Sequence, residues 1–250
     1  MAKGDGIKGD SVFAGITNVA LAMRAMERAV SRPQHLPGMV GFFGDSGLGK
    51  SFAAAYTANH FRAYYIECRE AWSKKAFLLK LVEDMGISKP GRTVAELTDQ
   101  AAMQLADSQR PLIVDEADKP VDHGYIEIIR DLHEAAGGAP ILLIGEEALE
   151  VKLRPFERFH NRMLEWVPAQ PASMDDAKKL ATLYCPGIKV ADDLLTRVLD
   201  VSRGVTRRIC VNLSRVAEFA ALEAPKDNTV TLAMWGTREL STGEARRRHA

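Results

Sequence analysis

Residues 44–51 have the types and the spacing that phosphate chemistry requires. They read Gly-Asp-Ser-Gly-Leu-Gly-Lys-Ser and fit G-x-x-x-x-G-K-[ST], the pattern of a phosphate-binding loop. Glycines let the backbone curl so that successive N–H groups face an anion, while the lysine can reach the β- and γ-phosphates and the Ser51 hydroxyl can hold Mg²⁺. We therefore predict a nucleotide site made of the loop and the residue after it, with these contacts: Gly44, Asp45, Ser46, Gly47, Leu48, Gly49, Lys50, Ser51 and Phe52.

Two acidic residues follow a second apolar run, and they are of the type that nucleotide hydrolysis requires. Residues 111–114 read Pro-Leu-Ile-Val and are followed by Asp115 and Glu116. Asp115 can hold Mg²⁺ through water, and Glu116 can orient and deprotonate an attacking water. Alone, the pair would be an ordinary acidic turn after a core strand. Together with the phosphate loop it predicts nucleotide hydrolysis, with Lys50 and Glu116 as catalytic groups.

Short apolar runs alternate with helical segments and predict the fold that positions these residues. Five runs have the length of buried strands, and helical patterns separate them, which favours a parallel sheet with helices on both faces. We predict an α/β fold with a five-stranded parallel sheet and a small C-terminal helical domain. The predicted strands are 39–43, 63–68, 111–116, 141–144 and 163–167, and the later helices are 173–184, 191–202 and 205–223.

The predicted domain organisation follows from where this alternation begins and stops. Residues 1–16 are rich in glycine and lysine and are expected to be flexible, residues 17–168 form the α/β domain, and residues 169–225 form the helical domain. Residues 226–250 complete the chain and end in a basic tail at 246–249.

Composition limits the classes of function that remain open. The net charge is zero, so nucleic-acid binding would have to come from local patches rather than from a basic chain. The three cysteines lack metal-ligand spacing and are expected to be reduced thiols. Apolar runs stay well below 18 residues, which predicts a cytoplasmic protein without membrane contact, in the host cytoplasm if a phage encodes it. His123 and His133 flank a helix predicted at 122–136 and are expected at the surface.

The order of these motifs resembles that of AAA+ ATPases. Within that superfamily the chain is similar to the transposition regulators, namely phage Mu protein B and the TnsC and TniB ATPases. The resemblance is carried by the loop at 44–51, by 112–119 and 141–145, by the Asn161-Arg162 pair and by Gly-x-x-Arg at 204–207. It extends over about residues 17–220.

This resemblance implies an ATPase that assembles on DNA. Members of this kind bind ATP and Mg²⁺, oligomerise as a ring or helical filament on duplex DNA without regard to sequence, recruit and activate a transposase, and disassemble upon hydrolysis. By the same resemblance Arg207 corresponds to the sensor-2 arginine of the helical lid. Arg158 or Arg162 corresponds to the arginine that reaches a neighbouring subunit's nucleotide, where such a group can raise the rate about 10³- to 10⁵-fold.

The resemblance also implies which residues touch DNA. Lys74 or Lys75, early in the helix after the second strand, and Arg92 with Thr93, just before the next helix, stand at the corresponding positions. From spacing alone, the lysines would be expected to lie on a solvent-exposed face of the helix. Thr93 would be explained by a capping box with Glu96.

Two departures from the family pattern keep other functions open. Gly145 is followed by Glu146, where a neutral polar sensor residue is usual, so an anion would stand near the γ-phosphate and slow hydrolysis. The segment before residue 17 is shorter than the extra DNA-binding domain of Mu protein B. The alternatives are a helicase loader or replication-initiation ATPase, a protein-directed ATPase with Trp72 in a pore loop, and a nucleotide-binding adaptor without turnover.

Overall fold

The computed structural model describes residue 13 and residues 15–223 and 225–243. The basic tail predicted at 246–249, and most of the segment predicted to be flexible at 1–16, lie outside the described residues. The helices are α1 (Thr17–Ser31), α2 (Lys50–Phe61), α3 (Lys74–Asp84), α4 (Val94–Ser108), α5 (Asp118–Asp122), α6 (Glu127–Ala135), α7 (Leu149–Leu153), α8 (Glu157–His160), α9 (Met174–Tyr184), α10 (Asp192–Ser202), α11 (Thr206–Glu223) and α12 (Leu232–Trp235). The strands are β1 (Met39–Phe43), β2 (Tyr64–Glu67), β3 (Leu112–Asp115), β4 (Ile141–Gly145), β5 (Met163–Pro168), β6 (Lys189–Val190) and β7 (Thr229–Val230).

Five strands form one parallel sheet in the order β2-β3-β4-β1-β5, which confirms the predicted fold class. The three central strands are buried almost throughout, as expected for apolar strands covered on both faces. Because parallel strands end at the same edge, Gly44 after β1, Asp115 at the end of β3 and Gly145 at the end of β4 lie along one edge of the sheet.

Helices α3 and α4 are fixed to the sheet by a continuous apolar core. Phe77 and Leu81 of α3 and Leu97 of α4 are fully buried in it, together with Ile129 of α6. Ser73 caps α3 by accepting a hydrogen bond from the Ala76 N–H, so α3 begins at Lys74. The first turn of α3 is therefore held in place by the buried residues of the turns that follow.

The helix predicted at 122–136 forms only over Glu127–Ala135, and the separate short helix α5 ends at Asp122. Gly124 has φ +69° and separates α5 from α6, and its N–H donates to the Val121 carbonyl oxygen at 3.0 Å. The buried Tyr125 follows directly. A glycine in the left-handed region ends a helix at little cost, which explains the break.

The chain divides into two compact units. One contains residues 19–45 and 50–169, and the other contains residues 46–49, the residues from 170 onward and the described residues up to Asn18. In the second unit, α9 begins with a capping box between Ser173 and Asp176, and α9–α11 begin and end within one residue of prediction.

The part of the chain after residue 168, which was predicted to be helical up to residue 225, also contains two short strands. Strands β6 and β7 pair in parallel, although each is only two residues long. Two residues show no alternation of polar and apolar side chains, so the sequence carried no signal for them.

The cysteines and the helix lengths are two further features that composition addressed. Cys68, Cys185 and Cys210 are free, as predicted. Within the described part of the chain, the helices are too short or too polar to span a bilayer.

Candidate nucleotide site

The phosphate loop has a backbone that only glycine adopts readily. Gly47 has φ +83° and Gly49 has φ +89°, both in the left-handed region. In the described part of the chain, the N–H groups of Gly47, Leu48 and Gly49 donate to no protein acceptor. A Cβ atom at Gly47 would lie 2.8 Å from Val205 Cγ1. The loop thus presents a row of unpaired donors, which fits the phosphates of a nucleotide.

Asn18 and Thr206 hold the loop from within its own unit. Asn18 is 4% exposed, and its Nδ2 donates to the carbonyl oxygens of Leu48 at 2.9 Å and Gln170 at 2.8 Å. The Thr206 hydroxyl donates to the same Leu48 oxygen at 3.1 Å. Sequence analysis missed Asn18, because a polar residue in the first turn of α1 is common and its partners are distant in the chain.

Lys50 begins α2 and is partly buried at the end of the loop. Its Nζ donates to the carbonyl oxygens of Gly44 and Asp45, the second at 2.8 Å. Burial lowers the pKa of Lys50, and the negative charges of Asp115 and Glu116 oppose this shift. The ammonium therefore lies within the field of the predicted acidic pair.

The next two residues of α2 are open to solvent. Ser51, the predicted Mg²⁺ ligand, and Phe52, the last predicted contact of the nucleotide, are both exposed, Phe52 at 46%. A magnesium ion at this site would take most of its ligands from phosphates and water. The described residues contain no group of three acidic, histidine or cysteine side chains arranged to hold a metal by themselves.

Asp115 is buried and oriented by two hydrogen bonds. It is 2% exposed, its Oδ1 accepts from the Glu116 N–H at 2.8 Å, and its Oδ2 accepts from the Tyr65 hydroxyl at 2.9 Å. Burial and the charge of Asp115 both raise the pKa of Tyr65, so the phenol stays protonated and remains a donor. Tyr65 was missed because only the strand order, with β2 beside β3, brings it to Asp115.

Glu116 has a strained backbone, which sequence analysis could not have found. Its φ is +55°, in the left-handed region, where a residue with a side chain costs on the order of 1–2 kcal/mol. Burial and Asp115 raise the pKa of Glu116, whereas Lys119 lowers it. A carboxylate held in a strained conformation at the edge of the sheet is the arrangement expected of a group that acts on a ligand.

The residues after β4 bring a third carboxylate close to the site. The Glu146 N–H donates to Asp118 Oδ2 at 2.6 Å, and a Cβ atom at Gly145 would lie 2.4 Å from the same oxygen. Glu146 contributes to the raised pKa of Glu116, and it opposes the lowering at Lys50. Glu146, the residue that departs from the family pattern, thus acts to raise the pKa of both predicted catalytic groups, Glu116 and Lys50.

The three predicted arginines lie on separate elements. Arg158 is exposed in α8, and Arg162 forms an ion pair with Glu134 at 2.8 Å. Arg207, in the first turn of α11, donates its backbone N–H to the Gly47 carbonyl oxygen at 3.0 Å. In the described chain no hydrogen bond or ion pair joins Arg158 or Arg162 to the phosphate loop, and a role at a neighbouring subunit's nucleotide stays a prediction.

The predicted DNA contacts fall at the starts of two helices. Lys74 and Lys75 form the first turn of α3 and are exposed, and among the described residues neither has a carboxylate within ion-pair distance. Arg92 is exposed just before α4.

Thr93 has a structural role at the start of α4, as its spacing from Glu96 predicted. Its hydroxyl accepts from the Glu96 N–H, and the Glu96 carboxylate accepts from the N–H groups of Thr93 at 2.9 Å and Arg92 at 2.7 Å. The backbone donors at this helix start are therefore already taken by an acid, and the Arg92 side chain is left as the group that can meet a phosphate.

His123 and His133 differ in their exposure to solvent. His123 is exposed, as predicted. The surface position predicted for His133 is wrong: it is 4% exposed, and its Nδ1 is 2.8 Å from the Ala139 carbonyl oxygen. Burial lowers the pKa of His133. Its neighbours Ile129 and Leu132 belong to the core of α6, and the histidine continues that buried face.

Comparisons with known proteins agree with this fold and site. Residues 34–153 match a family model described as an AAA domain, which spans the phosphate loop and the acidic pair. No curated protein sequence matches the chain. The chain therefore carries an AAA-type ATPase domain.

Solved structures with a similar fold are AAA+ proteins of low sequence identity. Cdc6p from Pyrobaculum aerophilum is 16% identical with a TM-score of 0.58, over 87% of this chain and 67% of that one. The Orc1 protein of Aeropyrum pernix in complex with DNA is 15% identical with a TM-score of 0.60, over 82% of this chain and 60% of that one. A point mutant of RuvB from Thermotoga maritima is 16% identical with a TM-score of 0.54, over 86% of this chain and 66% of that one. This chain thus spans 60–67% of the length of these structures.

Proposed function

We propose that this AAA-type ATPase binds duplex DNA in its ATP state, assembles there as a homo-oligomer, and leaves the DNA after hydrolysis. The observation that carries the proposal is the pair of exposed lysines at the start of α3, on a chain whose net charge is zero. Cations in the first turn of a helix oppose the helix dipole, at a cost of about 0.3–1 kcal/mol each. An anionic ligand would reverse that cost.

The roles we assign at the nucleotide site follow from its geometry. Loop N–H groups and Lys50 bind the phosphates of ATP, while Ser51 and Asp115 would hold Mg²⁺, which neutralises charge on the phosphates when bound. Glu116 accepts the proton of the attacking water, and its raised pKa suits a base that must take up a proton. Tyr65 keeps Asp115 oriented. The buried pair of Asp115 with Tyr65 and the strained Glu116 support this assignment.

Further roles extend the proposal to subunit assembly. We infer that the domains are the α/β domain at 17–168 and a helical lid at 169–225. Arg207, in the lid, contacts the bound nucleotide. Arg158 or Arg162 contacts the nucleotide of a neighbouring subunit. Assembly would then complete the active site and couple it to DNA.

The partner that we propose is a transposase, which the ATP-bound assembly would recruit and activate. This rests on the resemblance of residues 44–51, 112–119 and 141–145 to the transposition regulators. A second candidate is a replication-initiation ATPase, favoured by the fold shared with an Orc1 protein solved in complex with DNA. Both candidates require duplex DNA binding, and they differ in the partner protein.

The test is duplex-DNA binding by the purified protein with ATP, ADP or no nucleotide, across a salt series, with particle size measured in parallel. We expect tight binding and large assemblies only with ATP, and an affinity that falls steeply with salt. Random-sequence and fixed-sequence duplexes should bind equally. Absence of DNA binding in ATP at low salt, with ATP turnover intact, would refute the proposal and direct attention to protein substrates near Trp72.

A further inference from the structure

Lys119 forms an ion pair with Glu70 and lies one helical turn after Glu116, in the same α/β unit. Its Nζ is 2.7 Å from Glu70 Oε2, in the loop between β2 and α3. Its backbone N–H donates to the Glu116 carbonyl oxygen at 3.0 Å, so Lys119 stands one turn beyond the predicted base. The bond with Glu70 is the main cause of a raised pKa at Lys119, and the charges of Glu116 and Glu146 add to it.

Glu70 is the only acid in segment 69–75, which also carries the predicted DNA contacts Lys74 and Lys75. Its side chain is 71% exposed, and its second oxygen, Oε1, is 3.3 Å from His123 Nε2. In the same segment the Arg69 guanidinium lies over the Trp72 ring at 5.8 Å. The single carboxylate of segment 69–75 is thus paired with Lys119, the lysine that follows the acidic pair Asp115 and Glu116.

An exposed ion pair of this kind is weak, so Lys119 can exchange partners. The negative charges of Glu116 and Glu146 also act on Lys119, so either carboxylate can attract its ammonium once Glu70 is removed. An ion pair between Lys119 and Glu116 would occupy the oxygen that has to accept a proton from water. The same ammonium would also draw the carboxylate away from the phosphates.

We propose that Glu70 is a positioning residue for ATP hydrolysis, which holds Lys119 away from Glu116 so that the carboxylate stays available to water. The inference rests on the proposed function, since it takes Glu116 to be the base. It links the segment predicted to meet DNA with the chemistry, because any ligand that moves Glu70 changes the partner of Lys119.

The test compares steady-state ATP hydrolysis in three variants. Glu70→Gln should lower kcat about three- to fivefold, the scale that an exposed ion pair supplies, with the KM for ATP unchanged. Glu70→Gln combined with Lys119→Met should regain most of the rate, because the competing ammonium is gone. The matched control is Asp84→Asn, which breaks the exposed Lys80–Asp84 pair of α3 at 2.8 Å without a link to Glu116.

The outcomes separate this inference from the proposed function. An unchanged kcat in Glu70→Gln, or a double variant as slow as the single one, would overturn the role of Glu70. If Glu116→Gln itself hydrolyses ATP normally, the assignment of the base fails, and this inference fails with it. If Glu116→Gln is inactive while Glu70→Gln is silent, only the inference fails.

Discussion

The nucleotide site and the cationic start of α3 are built in opposite ways. At the edge of the sheet, Asp115 is buried and bonded twice, and Glu116 has a backbone conformation that costs energy. At the start of α3, Lys74 and Lys75 are exposed and unpaired among the described residues. In the first region hydrogen bonds and burial hold the reactive side chains in one geometry. In the second region the lysines contribute positive charge but no fixed geometry. We therefore expect single changes to be drastic in the first region and graded in the second.

Of the changes that test this contrast, Glu116→Gln should have the largest effect. It removes the proposed base and keeps the shape of the side chain, so kcat should fall about 10²- to 10⁴-fold while ATP still binds. Single-turnover hydrolysis and equilibrium nucleotide binding measure the two effects separately. A variant that keeps a tenth of the wild-type rate would place the base elsewhere.

The double change Lys74→Ala and Lys75→Ala tests the graded region. Losing two phosphate contacts should weaken duplex binding at low salt and reduce the slope of log K against log salt by about 2. The matched control is Lys80→Ala in the same helix, where the ammonium is already paired with Asp84, and its effect should be smaller. If the single change Lys80→Ala caused half the loss of the double change or more, bulk charge, and not the start of α3, would bind DNA.

Gly145→Ala tests how tightly the edge of the sheet is packed. The new Cβ atom would overlap Asp118 Oδ2, so the free energy of unfolding should fall by about 1–3 kcal/mol in urea denaturation. In an Asp118→Ala background the same change should cost less, because the closest of the overlaps is removed. A full cost in that background would point to the Leu149 side chain, which is also close.

Glu146→Gln examines the departure from the family pattern. Removing this charge should raise kcat roughly two- to fivefold, the scale of a screened charge near a partly exposed site. The reason is that less negative charge would face the γ-phosphate. Slower hydrolysis in this variant would instead give Glu146 a positive role.

The smallest effect concerns pH and the buried His133. Because burial lowers its pKa in the folded state, the unfolded chain takes up the proton first as pH falls below about 6.5. Stability should therefore decrease from about pH 6.5 down to the lowered pKa, by at most about 1.4 kcal/mol per pH unit. His133→Gln should flatten this dependence in urea titrations, and His35→Gln, at an exposed position, should leave it unchanged.

The sequence predicted the sheet and the motif residues because both depend on local patterns. Strand positions follow from apolar runs, and the phosphate loop from glycine spacing. Tyr65 and Asn18 could not be found in this way, since they act on residues 50 and 30 positions distant. The φ of Glu116 and the burial of His133 depend on tertiary packing, which periodicity does not encode. The two-residue strands β6 and β7 are too short to leave a pattern.

The most direct test of the whole account joins the two regions in one measurement. The lifetime of the complex with duplex DNA is followed for wild type and Glu116→Gln after a limited supply of ATP. We predict that the wild-type complex decays as ATP is consumed, and that the Glu116→Gln complex persists because its nucleotide is not hydrolysed. Equal lifetimes would contradict the account, since DNA release would then not depend on hydrolysis at Glu116.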